Sequence, residues 1–336
     1  MMMMLSARRL RSIAGGLATG LAASVLYLAM PSASAAATGF PDKPVKIVVP
    51  FAPGGLTDAL ARRVAGLLSD AWGQPVVVEN RPGASGNIGH EAVARSPGDG
   101  HTLLFTSGSF TINPSLYRNL GYDVEKDFRP VTLVATVPSV LLVPAKSPLQ
   151  SFDDFIGYTR GHPGKLNYGS AGNGSPQHLA MELLKSMAKL HIVHLPYKGG
   201  APALADLIGG QTDLMFAALP EATPHIKGGR LRALAISSPQ RSAVMSSVPT
   251  IRESGVEGFE AIGWQGLLAP GTTPQAVVDK IHADLAKALT MPETRSAIDA
   301  MGIEFSGDGP AGFGKFLSRE VGKWAEVVRK SGARID

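Results

Sequence analysis

Short runs of β-branched and aliphatic residues recur along the chain, separated by longer stretches in which apolar residues return every three or four positions. The first pattern is typical of buried strands and the second of amphipathic helices. Their alternation predicts α/β lobes with largely parallel sheets. The predicted strands are Val45–Val49, Val76–Glu79, Thr102–Phe105, Val131–Val134, Val140–Val143, Leu166–Tyr168, Ile192–Leu195, Leu214–Ala217 and Leu231–Ile236.

The pattern is clearest for two helices near the end of the chain. Pro274–Leu289 and Ala311–Lys330 each present one apolar face, with Trp324 on that of the second helix. Two runs bounded by proline, VPSVLLVPAKSP and AIGWQGLLAPG, are predicted to carry the chain from one lobe to the other. No repeat of 20 to 50 residues is present.

The run PFAPGGLTD, Pro50 to Asp58, joins the first predicted strand to a helix. Gly54 and Gly55 allow a tight turn in which the backbone can approach a ligand, Thr57 is a predicted N-cap, and Asp58 lies in the first helical turn. The unpaired N–H groups of such a helix start can bind a carboxylate, a phosphate or ordered water. An ordinary strand-to-helix turn without a ligand fits the same pattern.

Two further glycine-rich turns have the same character. In the second turn, Ser175 is the predicted N-cap and Pro176 the first helical residue. In the third, a lysine beside two glycines could add positive charge, although an exposed lysine is more often solvated. The candidate ligand-binding residues in these two turns are Ser170, Gly172, Gly174 and Ser175, then Tyr197 and Lys198.

The N-terminus has the three parts of a secretory signal peptide. A basic patch, Arg8 to Arg11, precedes an apolar stretch, Ile13–Met30, and small residues then predict cleavage after Ala35 or Ala37. An uncleaved anchor is the alternative, although the many Gly and Ala residues make a weak membrane span. We therefore expect a freely soluble exported protein, with residues 1–37 as its signal peptide.

Charge and cysteine content exclude several classes of function. The formal net charge is +5, but the predicted signal contributes three basic and no acidic residues, which leaves 29 basic against 27 acidic residues and a balance of +2. Without a basic block or stripe, a nucleic-acid partner is not expected. The chain contains no Cys, so lipoprotein attachment, disulfides and thiolate chemistry are excluded.

Strings that resemble enzyme motifs fail on context. GDGPAG, Gly307 to Gly312, lacks the following strand and acidic residue of a dinucleotide site, and GPAGFGK is followed by Phe316 instead of Ser or Thr. His191 and His194 lie three apart on a predicted strand, where side chains point to opposite faces. No nucleophile elbow occurs. We therefore expect no catalysis, no metal and no cofactor.

Five segments together resemble the Bug family, the extracytoplasmic solute receptors of tripartite tricarboxylate transporters. The resemblance runs from about Phe40 to the C-terminus. The segments are PFAPGGLTD, YDVEKDFRPV, YGSAGNGSPQHLAMELL, PYKGGAPALADLIGGQTDLMF and GWQGLLAPGTTP.

This resemblance implies a type II periplasmic binding protein, with two α/β lobes joined by two crossover strands and one ligand in the cleft between them. Lobe one would comprise residues 40–139 and 262–336, and lobe two residues 140–261. The implied protein is a periplasmic monomer that binds a small carboxylate, or an uncharged relative, and presents it to the permease subunits of the transporter. An exported enzyme on the same frame and a receptor for a sensor kinase are the alternatives.

The resemblance also implies the ligand-binding residues. Ligand choice would depend on Ser107–Thr111, Leu219–Glu221 and Trp264, in which Ser107 is a candidate contact. Carried over by motif position, lobe two offers the four residues of the second turn named above. Lobe one offers Phe51, Ala52, Gly54, Gly55, Thr57 and Asp58.

Overall fold

Two β-sheets with helices on their faces organise the described part of the chain, residues 39–300 and 303–333 of a computed structural model. The strand bounds agree closely with the apolar runs of the sequence. The strands are β1 (Val45–Val49), β2 (Val76–Asn80), β3 (Thr102–Ser107), β4 (Phe128–Val137), β5 (Ser139–Pro144), β6 (Asn167–Ser170), β7 (Val193–Pro196), β8 (Leu214–Ala218), β9 (Leu231–Ile236), β10 (Gly263–Pro270) and β11 (Glu304–Asp308).

The helices connect these strands and cover the sheets. Both helices that were clearest in the sequence are confirmed to within one residue at each end. Short 3₁₀ turns occur at Ala84–Gly86 and Ala243–Met245. The α-helices are α1 (Leu56–Trp72), α2 (Asn87–Ala94), α3 (Ser109–Leu116), α4 (Phe152–Gly161), α5 (Pro176–Ala188), α6 (Gly200–Ile208), α7 (Leu219–Lys227), α8 (Gln275–Leu289), α9 (Pro292–Ala300) and α10 (Pro310–Ser331).

Both sheets mix parallel and antiparallel strands, so the expectation of largely parallel sheets is wrong. The first sheet has the order β11-β4-β10-β3-β1-β2 and the second β7-β6-β8-β5-β9. Pairing is parallel where a helix returns the chain to the same edge, in β1 with β2 and β3, and in β6 with β7 and β8. It is antiparallel wherever β4, β5, β9, β10 or β11 takes part. β5 and β10, the strands that enter each sheet from the other one, run antiparallel to both of their neighbours, and β11 pairs antiparallel with β4 at the edge of the first sheet.

The chain passes between the sheets twice, as the two proline-bounded runs predicted. β4 leads into β5 of the other sheet through Pro138 alone, and residues 237–262 lead back from β9 to β10. The sequence did not predict β10 or β11 as strands. Gly266 interrupts the apolar run of β10, yet it is required there because a side chain at this position would collide with the ring of Phe313.

Helix α10 packs against apolar residues on both sides of the molecule. Near its start, Phe313 and Leu317 belong to a buried cluster with β3, β4 and β10 of the first sheet. Toward its end, Trp324 and Val328 belong to a cluster with β5, β6 and β8 of the second sheet. The same helix is therefore buried against both sheets, in addition to the two backbone passages between them.

The predicted signal peptide, residues 1–37, lies outside the described residues. Within residues 39–300 and 303–333, none of the helices has the length and hydropathy needed to cross a membrane.

Candidate functional site

A cavity of about 200 Å³ lies between the two sheets. Its walls come from the C-terminal ends of β3 and β8, the first turns of α1, α5 and α7, the two passages between the sheets, and α10. Ligands in α/β proteins bind beyond the carboxyl ends of the strands, where loops and helix N-termini converge. The cavity therefore occupies the position at which a two-sheet α/β protein can bind a small molecule.

The first glycine turn is fixed by the carboxylate of Asp58, which is buried. Its oxygens accept hydrogen bonds from the backbone N–H of Gly54 at 3.0 Å, from Asn80 Nδ2 at 2.9 Å and from Arg62 Nε at 3.0 Å. The Arg62 contact and the Gly54 N–H lower the pKa of Asp58 to about 2. Asp58 is thus engaged within the turn as an anion.

The helix after this turn begins two residues earlier than the capping pattern predicted. Gly55 is the N-cap and makes no side-chain cap, whereas Thr57 lies inside the first turn and is buried, so the prediction of Thr57 as N-cap is wrong. The side chain of Asp58 reaches back to the N–H of Gly54, which precedes the N-cap, so the first helical N–H groups have no side-chain cap. Leu56, the first helical residue, lines the cavity.

Two histidines support the second glycine turn through hydrogen bonds and ring stacking. Ser175 is the N-cap of α5, as predicted, and its hydroxyl accepts from the backbone N–H of His178 at 3.3 Å. The His178 ring returns the contact, since its Nδ1 accepts from the N–H of Gly174 at 3.0 Å. His194 stacks on His178 with ring centroids 4.1 Å apart, and its Nε2 lies 2.6 Å from Ser170 Oγ.

Ser170 is fully buried and is occupied by contacts within this turn. Besides His194, its hydroxyl contacts the carbonyl oxygen of Gly172 at 3.2 Å and the N–H of Gly172 at 3.1 Å. Burial lowers the pKa of both His178 and His194, the latter to about 4. Neutral imidazoles and one serine therefore set the shape of the turn.

The third glycine turn contributes less to the cavity. Tyr197 donates its hydroxyl to Asp206 of α6 at 2.8 Å, a contact that raises the pKa of Tyr197. Lys198 is exposed, and neither residue lines the cavity. The lysine is thus not brought to the cavity wall.

The structure brings two of the three predicted turns to one cavity, but mostly through neighbouring residues. Leu56 of α1 and Pro176 and Gln177 of α5 line it, and so does the predicted contact Ser107. The other predicted residues of the turns lie outside its lining, and their roles stay predictions. They are Phe51, Ala52, Gly54, Gly55, Thr57, Asp58, Ser170, Gly172, Gly174, Ser175, Tyr197 and Lys198.

Several lining residues were not singled out from the sequence. Gln177 follows the predicted N-cap by two positions, so the capping signal could have indicated it. Gln265 and Trp324 carry no local signal, because only the tertiary fold brings β10 and α10 to the cavity. Trp264 and Glu221, which lie in stretches expected to govern ligand choice, both line it.

Unpaired polar atoms face this region. Trp264 Nε1, Gln177 Oε1 and Gln265 Oε1 are buried without a hydrogen-bond partner in the described part of the protein. Buried polar atoms normally have partners, so these three are available to a bound molecule. Glu221 is the one charged residue among the described lining residues; its side chain is exposed, and partial desolvation by the neighbouring protein raises its pKa. Elsewhere in residues 39–300 and 303–333, no group of three or more His, Asp or Glu side chains could hold a metal ion.

A second groove, of about 270 Å³, lies between α10 and the segment before β4. Its walls include Phe110, Phe128 and Leu317, and they are mostly apolar. Because all of its lining belongs to the first-sheet side of the chain, it lacks the meeting of two sheets that characterises the 200 Å³ cavity.

Comparison with known proteins identifies the family. Residues 60–333 match the family described as the tripartite tricarboxylate transporter family receptor, TctC. The protein BugT of Bordetella pertussis (strain Tohama I) is 38% identical over 306 residues, which cover 90% of this chain and 94% of BugT.

Solved structures agree in fold over nearly the same span. Rpa4515 of R. palustris, solved with adipate, has a TM-score of 0.77 and 37% identity, covering 88% of this chain and 100% of Rpa4515. The periplasmic binding protein BugD has a TM-score of 0.73 and 35% identity, with 88% of this chain and 100% of BugD covered. The matched family is described as one of receptors, and BugD is named as a periplasmic binding protein. The resemblance and the fold predicted from the sequence are confirmed: this chain belongs to the TctC family of solute-binding receptors, the Bug proteins among them, and has their two-sheet periplasmic binding protein fold.

Proposed function

We propose that this protein is a periplasmic receptor that captures a small carboxylate between its two sheets and delivers it to the permease subunits of a tripartite tricarboxylate transporter. One observation supports this most directly. The N-terminal turns of α1 and α5, which belong to different sheets, both border the same cavity. Helix N-termini attract anions through their unpaired N–H groups and dipoles.

The residues of the two glycine turns would have two different roles in this function. The backbone at Gly54, Gly55, Gly172 and Gly174 would approach the carboxylate, while Asp58 and Ser170, whose side chains are engaged within the turns, would position it. The lobes would then be residues 40–139 with 262–336, and residues 140–261. The carboxylate class is supported by the relative Rpa4515, whose structure contains adipate.

A thermal-shift panel on protein purified from a periplasmic extract tests this function. The panel contains mono-, di- and tricarboxylates, their methyl esters, sugars and cationic compounds, without added metal. A carboxylate at about 100 times its Kd should stabilise the folded state by about 2.7 kcal/mol, whereas its ester should have no effect. The intact mass of the same preparation should correspond to a chain that begins at Ala36 or Thr38, as removal of a signal peptide requires.

Other outcomes of the same experiment contradict the proposal. A shift produced by sugars or cations but by no carboxylate would exclude anion capture. Chemical conversion of a bound carboxylate during prolonged incubation would indicate an exported enzyme. Loss of the gene should abolish cellular uptake of the bound carboxylate, and unchanged uptake with a lost transcriptional response would indicate a sensor kinase as the partner.

A further inference from the structure

The described residues that line the cavity include a carboxylate and no compensating cation. Glu221 lines it, and none of the other described lining residues is Lys, Arg, His, Asp or Glu. Glu221 makes no hydrogen bond or ion pair within the described residues, unlike Asp58, which has three partners. Its carboxylate is therefore available to whatever molecule occupies the cavity.

The start of helix α7 sets the backbone position of Glu221 at the cavity wall. It lies in the first turn of α7, directly after β8, where the helix dipole favours a negative side chain. An ionised carboxylate is only an acceptor of hydrogen bonds. The side chain stays exposed to solvent on one side, and the neighbouring protein removes part of its water, which raises its pKa.

The rest of the lining complements this acceptor. Trp264 is almost fully buried and its unpaired Nε1–H can only donate. Ile112, Val137 and Trp324 add apolar surface that suits carbon chains or rings. Gln177 and Gln265 can present either end of their amides, so they do not decide the charge of a ligand.

We propose that Glu221 selects carboxylates whose remaining part carries a hydrogen-bond donor, a hydroxyl or an ammonium group, and excludes those with a second carboxylate in its place. This inference rests on the proposed function, because it assumes that one carboxylate of the ligand is held at the glycine turns. A second carboxylate would have to lie beside Glu221 without a lining cation, and juxtaposed like charges are strongly unfavourable.

Three matched series of compounds test the selection by isothermal titration calorimetry on the mature protein. The six-carbon series is hexanoate, 6-hydroxyhexanoate, 6-aminohexanoate and adipate. The four-carbon series is butanoate, 4-hydroxybutanoate, 4-aminobutanoate and succinate. The aromatic series is benzoate, 4-hydroxybenzoate, 4-(aminomethyl)benzoate and terephthalate. Within each series only the group opposite the first carboxylate changes, so a preference can be assigned to that group.

In the series that fits the cavity, the hydroxyl or ammonium compound should bind at least about tenfold more tightly than the dicarboxylate. Glu221→Gln keeps the size of the side chain and removes its charge, so it should reduce this ratio to about threefold or less by improving dicarboxylate binding. Glu257→Gln, an exposed glutamate outside the cavity, makes the same charge change and should leave the ratio unaltered. Because Glu221 has no partner among the described residues, its variant is expected to fold normally.

The results separate this inference from the proposed function. If a dicarboxylate binds the wild type as tightly as its hydroxyl counterpart, or if Glu221→Gln leaves the ratio unchanged, the selection by Glu221 is wrong while carboxylate capture stands. If no carboxylate binds in these series or in the wider panel, both are wrong. A gain in dicarboxylate binding confined to Glu221→Gln supports the selection, and whether the hydroxyl or the ammonium compound binds better identifies the donor.

Discussion

At the scale of single residues, the buried His90 and His178 and the half-buried His194 show how desolvation decides the protonation state of a side chain. His90 is fully buried between Tyr122 and Thr106, whose hydroxyls lie 2.9 Å from its two ring nitrogens. Burial lowers its pKa to about 3, and His178 and His194 beneath the second glycine turn are shifted in the same direction. All three are therefore neutral in the folded protein near neutral pH.

This neutrality predicts a loss of stability on acidification. The unfolded chain binds protons at His90 below a pKa of about 6.5, while the folded protein resists protonation until about 3. The free energy of unfolding should therefore fall as the pH decreases from 7 to 4, by on the order of 3 kcal/mol for one fully buried histidine. Urea denaturation at each pH unit measures this slope.

Two variants check the origin of that slope. His90→Gln removes one titrating group and should flatten the dependence, whatever it does to stability at pH 7. His162→Gln, an exposed residue at the end of α4, should leave it unchanged. Asp58, whose pKa is lowered from 3.8 to about 2, loses its stabilising effect mostly below pH 4 and contributes little to this window. Equal slopes in wild type and His90→Gln would contradict the assignment.

At the scale of elements, the sequence predicted the turns but not the side chains that support them. Apolar runs and glycine positions are local signals, so β1, α1, β6 and α5 could be located from the sequence. The supports come from other elements: Asn80 reaches the first turn from β2, and His194 reaches the second from β7. No local pattern encodes such contacts, because they depend on which strands become neighbours.

The same limit applies to the cavity. Thr57 has the residue type of an N-cap, yet the helix begins at Leu56 after Gly55, without a side-chain cap, and Asp58 holds the preceding turn through the N–H of Gly54. Trp264 and Gln265 reach the cavity only because β10 inserts antiparallel between β3 and β4. That pairing follows from a return of the chain across 237–262, which periodicity cannot reveal.

At the scale of the whole molecule, the cavity belongs to neither sheet alone. Two passages and helix α10 join the two halves, and Trp324 of α10 also lines the cavity. A ligand shifts a conformational equilibrium only through contacts that differ between the two states. A ligand that touches the first turns of both α1 and α5 makes contacts that only an approach of the two sheets can complete.

We therefore expect a bound carboxylate to make the protein more compact, and Gly55→Val to prevent this. Gly55 has an ordinary φ of −80°, and a side chain built there meets no atom within 4 Å, so valine should be tolerated by the fold while occupying space next to the cavity. Binding should weaken about tenfold or more.

Gly66→Val on the exposed side of the same helix also meets no atom within 4 Å and is the matched control. Small-angle scattering with saturating ligand should show a smaller radius of gyration for wild type and Gly66→Val but not for Gly55→Val. Normal binding and compaction of Gly55→Val would mean that the first glycine turn only connects β1 to α1, and that the carboxylate is held elsewhere in the cavity.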